Sequence, residues 1–206
     1  MFISIKNSIS AEIVERKSKF IANVFYVSSK DEAENKIKEI KKKYFDARHN
    51  CSSYRVIEDG KIFEKASDDG EPSGTAGGPI LNILQKNNMC NILVVVTRYF
   101  GGILLGTGGL VRAYSDATIK ALDSAEKEQY SEGKEFEVSV DYSSLENFKY
   151  YCRNNDIAIT KTEFLNEIHC ILDVKCEFID RFLVDIEKRN INILKFKEIG
   201  TKYIKK

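Results

Sequence analysis

Apolar residues recur along this chain with two different periods, and the changes of period divide it into elements. Residues 9–14 and 20–27 are rich in β-branched and aromatic side chains and are expected to form strands. Ala33, Ile37, Ile40 and Tyr44 then fall on one face at helical spacing, which predicts an amphipathic helix over 30–45. Cys51–Glu58 and Lys61–Lys65 read as strands joined by Asp59-Gly60, a dipeptide suited to a two-residue turn whose central positions both need positive φ. ILNILQ at 80–85 suggests a short helix. NILVVVT at 91–97 is an almost unbroken β-branched run, as expected of a central strand buried on both faces. From Gly109 onward, Leu110, Tyr114, Ala117, Ala121 and Leu122 line one helical face, with small residues in its middle that allow close approach to a sheet.

The pattern then restarts. Residues 126–134 are polar, contain one glycine and show no apolar period, so they are expected to be a linker. Residues 134–142 alternate with Phe136, Val138 and Val140 on one face, and Ser143 or Ser144 can cap a helix presenting Leu145, Phe148 and Cys152. Strands at 157–164 and 168–174 flank a turn near Asn166, a helix carries Phe178, Phe182 and Ile186, and 191–199 closes as a strand. Strand, helix, strand, strand, helix, strand is the ferredoxin-like order (βαββαβ). The expectation is an α+β protein of two domains, 1–127 and 134–206.

A chain of 206 residues, 43% hydrophobic and 31% charged, has the composition of a folded globular protein. Its 32 basic residues against 31 acidic ones exclude a broad basic footprint. Splitting the chain does not change this, with 19 basic and 17 acidic residues in 1–128 and 13 and 14 in 129–206. Any RNA or phosphate binding must be local. Lys41, Lys42 and Lys43 read as a solvated helix end favoured by the macrodipole. Cysteines at 51, 90, 152, 170 and 176 are odd in number and form no C-x-x-C pair, which fits a reducing compartment. The opening MFISIKNSIS lacks the pattern of an export signal, and no window approaches 18 apolar residues, so a cytoplasmic protein without membrane insertion is expected.

Candidate chemistry is concentrated in DDGEPSGTAGGP at 68–79 and TRYFGGILLGTGG at 97–109. Nine of the twelve glycines lie between Gly70 and Gly109, together with both prolines, Pro72 and Pro79. Successive amides in such turns form anion-holding nests, and GTGG leading into a helix adds the positive end of its dipole. Arg98 and Arg112 add bidentate donors. Nucleotide fingerprints fail, since no Lys-Ser or Lys-Thr follows the glycines and Val111 stands where a dinucleotide site needs Gly or Ala. Asp68, Asp69 and Glu71 are expected to cap a helix, pair with an arginine or face a cationic partner, and no metal or cofactor is assigned. His49 and Cys51 share a strand face, the minimum for a thiolate nucleophile, but no orienting third group is evident. They are the only catalytic candidates. His169 and Cys170 point to opposite strand faces and suggest no metal site.

H-N-C at 49–51, DDGEPSGTAGGP at 68–79 and VVVTRYFGGILLGTGGLVRAY at 94–114 together resemble the IMPACT family, also called the YigZ family or uncharacterised protein family 0029. The resemblance implies a first domain like the second domain of ribosomal protein S5, an α/β sandwich, and a second like the last domain of elongation factor G. Eukaryotic members act in translational control, restraining a starvation-responsive kinase by competing for its activator, through a further module that has no counterpart here. For bacterial members the resemblance implies a tie to RNA or ribosomes and no established reaction. Its signature maps to His49, Cys51, Asp68, Asp69, Gly70, Glu71, Pro72, Gly74, Thr75, Thr97, Arg98, Tyr99, Gly101, Gly102 and Arg112. Ser52 and Ser53 depart from the aromatic and alanine that follow H-N-C in many members.

The reading that results is a non-catalytic binding protein linked to translation regulation, with RNA, the ribosome or a translation-associated protein as partner. Asp68, Asp69, Glu71, Thr75, Thr97, Arg98, Tyr99, Gly101, Gly102, Gly108, Gly109 and Arg112 are its expected ligand-binding set. A hydrolase or transferase using Cys51 with His49, and a docking scaffold, are the alternatives.

Overall fold

The computed structural model describes residues 1–205 and divides into two compact units, one spanning Phe2–Glu128 and one beginning at Gln129. In the first unit the elements run β1 (Phe2–Ile5), β2 (Ile9–Glu15), β3 (Ser18–Tyr26), α1 (Lys30–Lys43), β4 (His49–Glu58), β5 (Lys61–Ser67), α2 (Gly77–Lys86), β6 (Ile92–Tyr99) and α3 (Gly106–Asp123). Strands β2 to β6 form one antiparallel sheet in the order β2-β3-β6-β4-β5. β6 is therefore the middle strand, and its side chains explain the unbroken apolar run. Ile92, Val94 and Val96 face a core closed by Ile80 and Leu84 of α2 and by Leu110, Tyr114 and Ala117 of α3. Leu93 and Val95 face a second core with Ala33 and Ile40 of α1. Burial on both faces is worth about 1.5–3 kcal/mol for each large aliphatic side chain, so β6 anchors the unit.

Local signals set where the elements begin and turn. Ser29 caps α1 by accepting the Glu32 amide, and the Glu32 carboxylate accepts Ser28 N and Oγ in return. Asp59 and Gly60 both take positive φ at the β4–β5 turn. Helix α3 begins at Gly106, four residues before Leu110 opens its apolar face, and the pattern misses this start because the glycine-rich first turn is exposed and carries no packing signal. The short strand β1 has no alternation long enough to read and is placed by Ile3 N donating to Asn88 O and Cys90 N to Ile3 O.

The second unit contains β7 (Lys127–Val140), α4 (Leu145–Asn154), β8 (Ala158–Phe164), β9 (Ile168–Lys175), α5 (Cys176–Glu187) and β10 (Lys195–Lys205). Its strand order is β10-β7-β9-β8, antiparallel throughout. Phe136, Val138, Val140, Cys170, Leu172 and Val174 pack on Phe148, Cys152, Ile179 and Phe182. Two expectations are corrected here. Residues 127–134 are not a linker but the first half of β7, with Tyr130 opposite Lys205 and Lys134 opposite Thr201. A strand held mainly by its main-chain ladder needs no apolar alternation, so the period gave no warning. The last strand starts at Lys195 instead of residue 191, since Ile191 is buried in the core without joining the sheet.

Candidate functional site

Strand pairing brings the sequence motifs together. β4 lies antiparallel to β6 with His49 opposite Arg98, Asn50 opposite Thr97 and Cys51 opposite Val96. Residues 68–76, leaving β5 on the other side of β4, fold back over this sheet end, each of their acidic side chains holding a different part of the structure. The Asp68 carboxylate accepts the amides of Gly74, Ala76 and Gly77 at 2.8, 2.9 and 2.8 Å. It thereby caps α2, whose own N-cap residue, Ala76, has no side-chain acceptor. Burial pushes the Asp68 pKa up, but the three amides outweigh it and hold the group below the usual aspartate range. Asp69 accepts Asn50 N at 2.7 Å and Lys41 Nζ at 2.5 Å, and its carbonyl lies 3.0 Å from His49 Nδ1.

Glu71 is the centre of a buried network. Its Oε1 accepts Arg98 Nη1 at 2.7 Å and the Tyr114 hydroxyl at 2.8 Å. Arg98 Nη2 reaches Ser18 Oγ at 3.5 Å, and that hydroxyl oxygen accepts Gly101 N at 3.1 Å. The guanidinium carbon sits 5.5 Å from the ring centres of both Phe20 and Phe100. Phe20 meets Tyr114 edge-on, with centroids 5.1 Å apart. Arg98 Nε has no hydrogen-bond partner among the described residues. The Cys51 Sγ lies 2.9 Å from Asp68 O and 3.3 Å from the Tyr114 hydroxyl oxygen. Burial, aided by the neighbouring carboxylates and opposed by the Tyr114 hydrogen bond, pushes the Cys51 pKa up to about 12, and burial likewise raises that of Tyr114. Burial therefore favours the thiol over the thiolate at neutral pH, the opposite of the lowered pKa that an activated cysteine nucleophile shows.

Two glycines show why these segments are glycine-rich. A Cβ on Gly77 would stand 2.6 Å from Ser67 N, and one on Gly101 would stand 2.0 Å from the carbonyl carbon of Lys17. Backbone therefore packs on backbone: α2 starts against the end of β5, and the 100–105 loop rests on the β2–β3 turn.

The expected site residues fall into two groups. Thr75, Thr97, Arg98 and Glu71 are buried, with Thr75 Oγ1 donating to Pro72 O and Thr97 Oγ1 to Asn50 Oδ1. Asp68 and Asp69 are half-buried and engaged as described, and Tyr99 is half-buried with its hydroxyl on Asp46 at 2.8 Å. Gly101 and Gly109 are half-buried, whereas Gly102, Gly108 and Arg112 are exposed. Arg112 makes no ion pair among the described residues. Beside them Phe100 is 52% and Leu104 80% exposed. The first turn of α3 has no acidic residue and no side-chain cap, so its amides face outward near an unneutralised guanidinium on the same helix. The helical spacing of Tyr114 predicts a packing residue. Its hydroxyl proves to be the link between Glu71 and Cys51, and one bulky phenol among the small residues of that helical face was the available signal. Ser18 gave none.

This arrangement defines a class: a mixed α/β protein of two units, the first of which matches the Impact N-terminal domain over residues 16–122. The chain belongs to the IMPACT family. It is 39% identical over 176 residues to the IMPACT family member YvyE of Bacillus subtilis, covering 85% of this chain and 78% of that protein. It is 34% identical over 198 residues to an IMPACT family member of Haemophilus influenzae, covering 95% and 96%. A crystal structure of a hypothetical protein matches 94% of this chain and 96% of its own at a TM-score of 0.63 and 27% identity. Among the described residues no helix is long and apolar enough to cross a membrane.

Proposed function

We propose that this protein is a non-catalytic, cytoplasmic binding protein linked to translation regulation, and that its first unit grips RNA backbone on the ribosome. The observation that carries the reading is the uncapped start of α3. Gly106, Thr107 and Gly108 are exposed and their amides have no acceptor within the helix, no acid stands in that turn, and exposed Arg112 lies one turn further along. Helix amides and a guanidinium are the donors that phosphate contacts use. Phe100 supplies an exposed ring beside them. The buried residues Glu71, Arg98, Thr75 and Thr97 shape this surface, and Asp68 and Asp69 hold its acidic flank. A near-neutral chain agrees with a small number of local phosphate contacts.

The β10-β7-β9-β8 order supports the ferredoxin-like reading of the second unit, and a five-stranded sheet with helices on both faces supports the ribosomal S5-like reading of the first.

Filter binding of RNA and co-sedimentation with ribosomes test the proposal. Arg112→Ala is expected to weaken binding and to lower the slope of log affinity against log salt by about 1. Phe100→Ala is expected to weaken single strands more than duplexes. Wild-type protein that leaves both RNA and ribosomes unbound at low salt, or binding that neither variant changes, would overturn it.

A further inference from the structure

The second unit holds a cavity that the reading above does not use. It is an open cleft between α4 and the turn after α5, with a volume of about 400 Å³, within the range of small-ligand sites. Its floor is apolar, formed by Phe148 and Ile191, which are 2% and 7% exposed. Its walls are amides and phenols. Asn147, Tyr150 and Asn154 recur at helical spacing on one face of α4, and Arg189 and Asn192 reach in from the opposite turn.

These side chains are poorly explained by folding alone. Asparagine is a weak helix former, yet two occupy this face, and neither amide is hydrogen-bonded among the described residues. Tyr150 leaves 63% of its surface in water. Arg189 ends α5 in the left-handed region, with φ +57°, and makes no ion pair among the described residues. Tyr151 and Asn190, by contrast, are fixed by hydrogen bonds to Asp185 at 2.7 and 2.8 Å. No carboxylate lines the cavity.

The combination selects its ligand. A primary amide offers a donor and an acceptor side by side, matching the N6/N7 edge of adenine. An exposed phenol ring offers a stacking face, and a guanidinium unopposed by acid takes phosphate. A neutral sugar would leave the arginine idle, and the ammonium group of an amino acid would find no carboxylate. We infer that this cavity binds an adenine nucleotide, either free or as one nucleotide of a single-stranded RNA, with the base against Tyr150 and the asparagines and the phosphate at Arg189.

Calorimetric titration of the full chain with AMP, adenosine, ribose 5-phosphate and oligoadenylate tests this. AMP is expected to bind saturably, with adenosine and ribose 5-phosphate each at least tenfold weaker. Oligoadenylate binding tighter than AMP identifies RNA as the source, and equal or weaker binding identifies the free nucleotide. Asn147→Ala and Arg189→Gly are each expected to weaken AMP at least fivefold with unchanged circular dichroism, the glycine being chosen because it keeps the positive φ. Absence of saturable binding to both AMP and oligoadenylate, or affinity that neither variant alters, would overturn the assignment.

Discussion

Arg98 and Glu71 meet at 2.7 Å with only 7% and 3% of their side chains still exposed. The pair joins the middle strand of the first sheet to the acidic loop, and its second acceptor contact, from Tyr114, draws in α3. One buried carboxylate thereby holds three separate stretches of chain in register.

Removing one partner leaves the other charge buried and uncompensated. Arg98→Ala is expected to lower the stability of the first unit by about 3–5 kcal/mol in urea unfolding. The Arg98→Met, Glu71→Leu double variant should lose less than the sum of the two single alanine variants, since neither charge is then stranded. A cost below about 1 kcal/mol for Arg98→Ala would show that the pair does not hold the loop.

Two glycines in the same region should respond in opposite ways. Gly101→Ala puts a methyl group into the backbone of Lys17 and is expected to cost more than about 1–3 kcal/mol, the usual range for overpacking. At Gly78, in the first turn of α2, an added Cβ meets nothing within 4 Å. There alanine should stabilise by about 0.4–1 kcal/mol through the unfolded chain. Thermal melts of the two variants separate close packing from composition as the reason for glycine.

Labelling with iodoacetamide should rank the cysteines by burial. Cys176 is exposed and should react first, whereas Cys51, with its pKa pushed from 9.0 to about 12, holds roughly a thousandth of the thiolate of an ordinary thiol at neutral pH. Mass spectrometry is expected to find Cys51 modified only after unfolding. Faster alkylation of Cys51 than of a model thiol below pH 7 would restore the nucleophile reading.

The Asp68 cap carries a pH signature. Its folded pKa is depressed, so its contribution is present above about pH 4, where an unfolded aspartate is ionised, and is lost as the pH falls through the lower folded value. The stability gap between wild type and Asp68→Asn should be widest at neutral pH and close on acidification. A gap that stays constant from neutral pH to pH 3 would mean that the charge on Asp68 contributes nothing.

Much of the architecture was legible because its causes are local. The Asp59-Gly60 turn, the apolar face of α1 and the two-sided burial of 92–96 each depend on a few neighbouring residues. The strand over 130–134 was illegible because main-chain pairing with β10 sustains it, and a partner some seventy residues away leaves no periodic mark on the strand itself. The motifs of the site were visible as glycine and charge, but which of those residues reach solvent was not.

Element order, the concentration of chemistry at 68–79 and 97–109 and family membership follow from contiguous residues, since hydrophobic period, turn residues and long motifs are local properties of the chain. That Arg98, Glu71, Thr97 and Cys51 face inward while Arg112, Gly108 and Phe100 face outward emerges only from long-range packing. The physical reason is that a charge can be buried only beside its counter-charge, and Arg98 and Glu71 become neighbours only once the loop has folded back over the sheet end.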